Sequence, residues 1–200
     1  CLSFNKDKKK NDIYSFQGAV TCIDNSNGRV VAIVGGRKQK GIGGFTLNRA
    51  FQSYRQPGSS IKPLVVYTPS LENGYTADTI VNDKKMKDGP SNSGNSYLGR
   101  IPLSTAVQKS KNVVAWQMMD ELTPRTGLSY IQDMMFRKIV PTDYINAAAL
   151  GGLTYGVTTE EMAGGYATLA NNGIFREPSC LTSIKLGGKE IYKKRRSEEH

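Results

Sequence analysis

The sequence predicts an α+β domain, and three observations carry that expectation. β-Branched runs flank glycine turns near both ends of the chain, at Ser26-Asn27-Gly28 and at Gly187-Gly188. Between them, apolar residues recur at helical spacing in several separate segments. The order strands, helices, strands indicates α+β or a sheet assembled from distant segments.

Taken in order, residues 1–16 are polar and lysine-rich and read as a lead-in, and residues 17–200 read as one continuous portion of a domain. The run Gly18-Ala-Val-Thr-Cys-Ile-Asp24 and the run Arg29-Val-Val-Ala-Ile-Val34 form the first expected hairpin, ending at Gly35-Gly36. Cys22, inside it, is expected to be a small buried apolar residue. A Gly/Lys loop over 38–44 has no phosphate-loop spacing. A helix is expected from Ser59, with Ile61, Leu64, Val65 and Leu71 on its apolar side and Asn73-Gly74 as its stop. Pro63 suits its first turn, whereas Pro69 is expected to kink or shorten it. Residues 83–99, rich in Gly, Ser, Asn and Lys, read as a long loop of the kind that often carries function.

Two helices follow, over 102–109 and 113–122, with Ser110-Lys-Asn112 between them. The second is apolar nearly all round and is expected to be buried. Leu128, Ile131, Met135 and Ile139 mark another helix. Thr158-Thr-Glu-Glu161 is a capping box opening a helix to Ala170, closed by Asn172-Gly173. The chain then turns back on itself around Gly187-Gly188 in a second hairpin.

Composition narrows the chemistry. The 27 Lys and Arg outweigh 17 Asp and Glu, a net charge of +10 that suits an anionic partner such as a lipid surface or acidic wall polymer. The charge is dispersed, and no helix carries a basic stripe interleaved with aromatics, so nucleic acid is not an expected partner. No apolar run is long enough to span a bilayer. The scattered cysteines Cys1, Cys22 and Cys180 form no Cys-x-x-Cys pair, and the single histidine is His200. A zinc site is therefore not expected, nor is a Ser-His-Asp triad. Nucleophilic catalysis here requires a base other than histidine. No cofactor is expected.

The sharpest segment is Arg55-Gln-Pro-Gly-Ser-Ser-Ile-Lys-Pro63. At a separation of three, Ser59 and Lys62 share one helical face, with Ser59 at the N-terminus, where backbone N–H groups stabilise negative charge. Lys62 opposes the dipole in a first turn, where an acid would be preferred. Burial would lower its pKa and let the free amine take the Ser59 proton. Alone, Ser-x-x-Lys also describes a serine N-cap followed by a solvated lysine. Further along, Ser110 and Asn112 are two apart, so an extended link turns both toward one cleft. There Ser110 can relay a proton and Asn112 can hold a substrate amide. Alone, that pair also describes a helix stop and an N-cap.

Together, Pro57-Gly-Ser-Ser-Ile-Lys-Pro63, Ser110-Lys-Asn-Val-Val114 and Ala170-Asn-Asn-Gly-Ile174 resemble the transpeptidase domain of class A, bifunctional penicillin-binding proteins. The resemblance runs from about Gln17 to Tyr192 and includes Leu71-Glu-Asn-Gly74 and the segment 148–156. It implies the penicillin-binding-protein and serine β-lactamase fold, and an acyl-transfer enzyme cross-linking stem peptides of bacterial peptidoglycan. The implied roles are Ser59 as nucleophile, Lys62 as base, Ser110 as proton relay and Asn112 as an orienting contact. The Ser59 backbone N–H is implied as half of an oxyanion hole. Implied partners are stem peptides on a lipid-linked precursor or nascent glycan strand, and β-lactams that acylate Ser59. The implied location is the extracytoplasmic face of the cell membrane.

One departure stands out. The family's Lys-Thr-Gly motif occurs nowhere in this chain, and Arg125-Thr-Gly127, between two helices, reads as a turn. The expectation is a fragment whose sheet is incomplete and whose missing C-terminal segment would be a partner. Two alternatives stay open. A serine β-lactamase or β-lactam sensor shares the same logic, although no Glu-x-x-Leu-Asn segment supplies a deacylating carboxylate. A non-catalytic wall-binding module of the same fold is the other.

Overall fold

A computed structural model of the chain describes residues 9–10, 13–14, 16–37 and 46–193. In chain order the strands are β1 (Lys9–Lys10), β2 (Ile13–Tyr14), β3 (Val20–Asp24), β4 (Arg29–Val34), β5 (Ile80–Asp83), β6 (Gly99–Pro102), β7 (Ser183–Leu186) and β8 (Lys189–Lys193). The α-helices are α1 (Arg49–Gln52), α2 (Thr68–Glu72), α3 (Leu103–Gln108), α4 (Asn112–Leu122), α5 (Pro124–Asp133) and α6 (Thr159–Ala170). The class is α+β, as the sequence predicts, and among the described residues every ladder is an antiparallel pair: β1–β2, β3–β4, β5–β6 and β7–β8. The 38–44 loop, Cys1, His200 and most of the expected lead-in lie outside the described residues.

The chain divides into two compact units, residues 1–54 with 158–200, and residues 55–157. In the first, β3 and β4 pair with a bulge between Cys22 and Ile23. The turn that joins them is tied by Asp24, whose carboxylate accepts from the Ser26 N–H and hydroxyl and from the Asn27 amide. Helix α6 lies against β3. Its capping box forms as read: the Glu161 N–H donates to Thr158 Oγ1 at 3.2 Å, and the Thr158 N–H donates to the Glu161 carboxylate at 2.8 Å. Cys22 is exposed rather than buried. A two-stranded ribbon leaves one face open, and Val20 and Val31 are exposed on this hairpin as well.

The second unit holds the larger core. Ile61, Leu64, Val65, Val66, Leu103, Val113, Val114, Met119, Leu128 and Ile131 are all buried, each contributing about 1.5–3 kcal/mol relative to exposure. The expected Ser59 helix is a composite: a 3₁₀ turn over Gly58–Ile61, a π-helical stretch over Pro63–Tyr67, then α2. Pro63 explains the change of pitch, because it has no N–H to continue the tighter ladder. The wider π winding leaves the Thr68 N–H bonded to the Pro63 carbonyl.

The expected long loop is present over residues 84–98, with one 3₁₀ turn at Ser93–Asn95, and β5 and β6 pair at its two ends from Ile80↔Pro102 to Asp83↔Gly99. Two expectations need correction here. Arg125-Thr-Gly127 lies inside α5, not in a turn. A Cβ on Gly127 would lie 2.5 Å from the Val65 carbonyl oxygen, so α5 packs on the π stretch at glycine distance. That helix also ends earlier than its apolar spacing suggests, because Met135 takes φ +58 and Ile139 lies beyond it.

Candidate active site

The segment carrying Ser59 is held from below by a second stretch of chain in the same unit. Arg55 and Val157 exchange backbone hydrogen bonds at 2.9 and 2.8 Å. The Gln56 amide clamps both polar groups of the Leu153 backbone, accepting from its N–H at 3.0 Å and donating to its carbonyl. The approach is close enough to require glycine. A Cβ on Gly156 would lie 2.3 Å from the Arg55 carbonyl, and one on Gly151 would lie 2.5 Å from the Gly58 nitrogen. Both glycines have positive φ, +83 and +81, as does Gly58 at +57.

From this base the 3₁₀ turn rises. Lys62 closes the turn, its N–H donating to the Ser59 carbonyl, so Ser59 and Lys62 stand three residues apart, the separation that shares one side of a helical turn. Ser59 is exposed, and its hydroxyl makes no hydrogen bond with any described residue. Ser60, its neighbour, donates its hydroxyl to the Pro57 carbonyl at 2.7 Å.

Lys62 is only 1% exposed. Its ammonium donates to the Ser110 carbonyl at 2.9 Å, to Ser110 Oγ at 3.2 Å and to Asn112 Oδ1 at 2.7 Å. Three acceptors match three N–H donors. Burial nevertheless disfavours the charged form and lowers the pKa from 10.5 to about 8. The structure thus brings Lys62, Ser110 and Asn112 into one hydrogen-bonded cluster, with Ser59 on the same face of the Lys62 helix.

The link is not extended as expected: Ser110 and Asn112 reach Lys62 because the chain bends sharply between α3 and α4, with Asn112 already in the helix. Ser110 adopts φ +51, a conformation few non-glycine residues take. Lys111 stands at the N-cap position of α4, yet its side chain makes no cap. The cap comes instead from the 84–98 connection. Asn92 Oδ1 accepts from the Asn112 N–H at 2.9 Å and the Val113 N–H at 3.2 Å. The Asn112 side-chain amide donates to the Ser91 carbonyl at 3.0 Å, which orients Oδ1 toward Lys62.

Sequence reasoning singled out the four motif residues but missed this support. Asp83, Asn92 and Lys111 are all buried, at 0, 5 and 6% exposure. The only signal available was the polar richness of 83–99 and the lysine inside Ser-Lys-Asn.

Comparison with known proteins places this geometry. Residues 18–200 match the family described as penicillin binding protein transpeptidase domain. The chain belongs to that family. It is 38% identical over 182 residues to penicillin-binding protein 4 of Bacillus subtilis, covering 88% of this chain and 29% of that protein. Penicillin-binding protein 1A of Clostridium acetobutylicum is 35% identical over 190 residues, covering 88% of this chain and 23% of the relative. Among solved structures, penicillin-binding protein 1A from Haemophilus influenzae superposes with a TM-score of 0.74 at 29% identity. That match covers 89% of this chain and 27% of the other. PonA1 from Mycobacterium tuberculosis, solved with penicillin V, shares the fold at a TM-score of 0.74 and 23% identity, covering 90% of this chain and 51% of that one. This transpeptidase-family chain thus spans about a quarter of the length of the curated relatives it matches. No helix among the described residues is long and apolar enough to cross a membrane.

Proposed function

We propose that this chain carries the acylation site of a peptidoglycan D,D-transpeptidase, acting at the extracytoplasmic face of the bacterial membrane. The observation that carries the reading is the buried Lys62 amine, hydrogen-bonded to Ser110 and Asn112 and stacked on the helical face of an exposed Ser59. Ser59 Oγ attacks the penultimate D-alanine carbonyl of a stem peptide while its proton passes to the free amine of Lys62. The Ser59 backbone N–H, in the first turn and without an intrahelical acceptor, faces the developing oxyanion. Collapse of the tetrahedral adduct expels the terminal D-alanine, whose nitrogen takes the proton from Lys62 by way of Ser110 Oγ. The 3.2 Å contact between those two groups supports this route, since a hydroxyl can both accept from an ammonium and donate onward. Asn112 orients the substrate amide. An amine of a neighbouring stem peptide then takes the acyl group, releasing Ser59 and forming the cross-link.

A β-lactam presents a strained amide to the same serine, and its acyl group remains attached. The test uses the complete polypeptide that carries this chain and a labelled penicillin. The expected result is a persistent label mapped to Ser59 and none on a Ser59→Ala variant. Label on Ser60, or undiminished labelling of Ser59→Ala, would overturn the assignment. Rapid turnover of the label would favour a β-lactamase instead.

A further inference from the structure

The three Lys62 acceptors all lie on the bend 110–112. Its backbone closes α3, with the Ser110 N–H donating to the Val107 carbonyl at 3.0 Å and the Lys111 N–H to the Ala106 carbonyl at 2.9 Å. The ties on its α4 side run to Asp83 and the 84–98 connection. Lys111 Nζ pairs with Asp83 Oδ2 at 2.9 Å and donates to the Ser96 carbonyl at 2.9 Å. Asn92 Nδ2 donates to Asp83 Oδ1 at 2.5 Å and to the Ser96 carbonyl at 2.9 Å, while its Oδ1 caps the α4 N–H groups of Asn112 and Val113. Asp83 also accepts from the Leu98 N–H at 2.9 Å, which ties the end of β5 to the end of the connection. Every polar atom of the Asn92 amide is used, and its side chain bridges the Asp83 carboxylate to the backbone of Asn112.

We infer that Asn92, braced by the buried Asp83–Lys111 ion pair, is a positioning residue that sets the placement of Ser110 and Asn112 against Lys62 for acyl transfer. The inference rests on the reading of the previous subsection and deepens it by naming what holds the proton relay in register. Ser110, in the left-handed region, closes α3 with local backbone bonds, so it is the α4 side of the bend that depends on an outside brace. Lys111, at the N-cap position, offers α4 no side-chain oxygen, so without Asn92 Oδ1 the first N–H groups of α4 lose their acceptor. A shift of the bend moves the relay hydroxyl and the substrate-orienting amide together, because both belong to it.

The experiment uses the complete polypeptide and a fluorescent penicillin. End-point labelling counts competent sites, and the time course gives the acylation rate per competent site. For Asn92→Ala the rate per site is expected to fall by ~10²-fold, the scale of a misplaced reacting group. Both the initial binding constant and the first-order acylation constant should worsen, since Asn112 serves the first and Ser110 the second. The paired exchange Asp83→Asn with Asn92→Asp keeps an acceptor for the α4 N–H groups and an amide beside it but removes the carboxylate that pairs with Lys111, and should recover part of the lost rate. Should Asn92→Ala leave no competent sites to time, Lys111→Gln, which removes the ion pair with Asp83 and the ammonium contact to the Ser96 carbonyl but leaves Asn92 in place, reads the same rate. A merely structural brace would lower the count of competent sites and leave the rate per site at the parent value. That result would overturn the inference while the transpeptidase reading stands. Failure of the parent protein to label at Ser59 would overturn that reading, and this inference with it.

Discussion

Lys62 Nζ donates to Asn112 Oδ1 at 2.7 Å, joining two motifs that lie 50 residues apart in the chain. The contact fixes which oxygen of the Asn112 side chain faces the cluster, since the opposite end of the same amide donates to the Ser91 carbonyl. It also leaves the amine enclosed, with its protons distributed over one carbonyl, one hydroxyl and one amide oxygen. An amine in that setting exchanges protons close to neutrality, which a solvated lysine does not.

Replacing Lys62 separates charge from proton transfer. Lys62→Arg retains a cation that stays protonated at any working pH, and penicillin acylation should fall by ~10²–10⁴-fold. Lys62→Met, near in volume but without the amine, should lose a comparable factor. Stopped-flow or gel-based labelling rates check both. An arginine variant that acylates at the parent rate would remove Lys62 from the role of base.

The pH dependence follows from the lowered Lys62 pKa of about 8, set by burial. Acylation should rise with pH through an acid limb centred near 8 as the free amine forms, and Lys62→Met should lack that limb. Stability carries the same signature. Between about 8 and 10.5 the unfolded chain holds a proton on Lys62 that the folded chain has released. Folding is therefore favoured increasingly as pH rises through that window. Urea midpoints of parent and Lys62→Met, compared at the two ends of the window, should move apart in the parent's favour.

Glycines near the nucleophile should divide into two classes. Gly151→Ala places a Cβ 2.5 Å from the Gly58 nitrogen, on a backbone at φ +81. Overlap and strain together should cost roughly 2–4 kcal/mol and displace the Ser59 turn, slowing acylation too. Gly58→Ala, at φ +57 with open space around its Cβ, should lose only about 1–2 kcal/mol from strain. Thermal melts alongside labelling rates distinguish them, and equal losses at the two positions would contradict the packing described.

In the other unit, the capping box gives an independent stability test. Thr158→Ala removes the oxygen that accepts from the Glu161 N–H and should destabilise by about 1 kcal/mol. Acylation rate per competent site should stay unchanged, because the bond removed caps α6 alone. Melting temperature and labelling rate, measured on one preparation, check the two halves of the statement.

Legibility in the sequence tracked how local the physics was. Both glycine-turn hairpins and the Thr158 capping box were readable because a few adjacent residues determine them. The spacing of Ser59 and Lys62 is likewise local, whereas Ser110 and Asn112 meet at Lys62 through a left-handed bend and not through the extended link their spacing suggests. What stayed hidden was settled by distant partners. The β5–β6 pairing depends on strands separated by a polar connection, and neither strand alone has a clear alternation. Asn92 looked like an ordinary loop asparagine because its value as a cap lies in groups supplied by α4. Gly127 completed a deceptive tripeptide, whereas its reason for being glycine is the Val65 carbonyl, on another helix. Cys22 was misread because strand composition does not reveal which face of a ribbon remains open.

The left-handed backbone of Ser110 has a consequence for how this position responds to selection. Glycine would relieve the strain there by about 1–2 kcal/mol, so a library screened only for heat resistance should accumulate Ser110→Gly. A library screened for survival of the labelling reaction should discard the same change, because the relay hydroxyl goes with the side chain. The two screens would pull one codon in opposite directions, and the serine found there marks which demand prevailed.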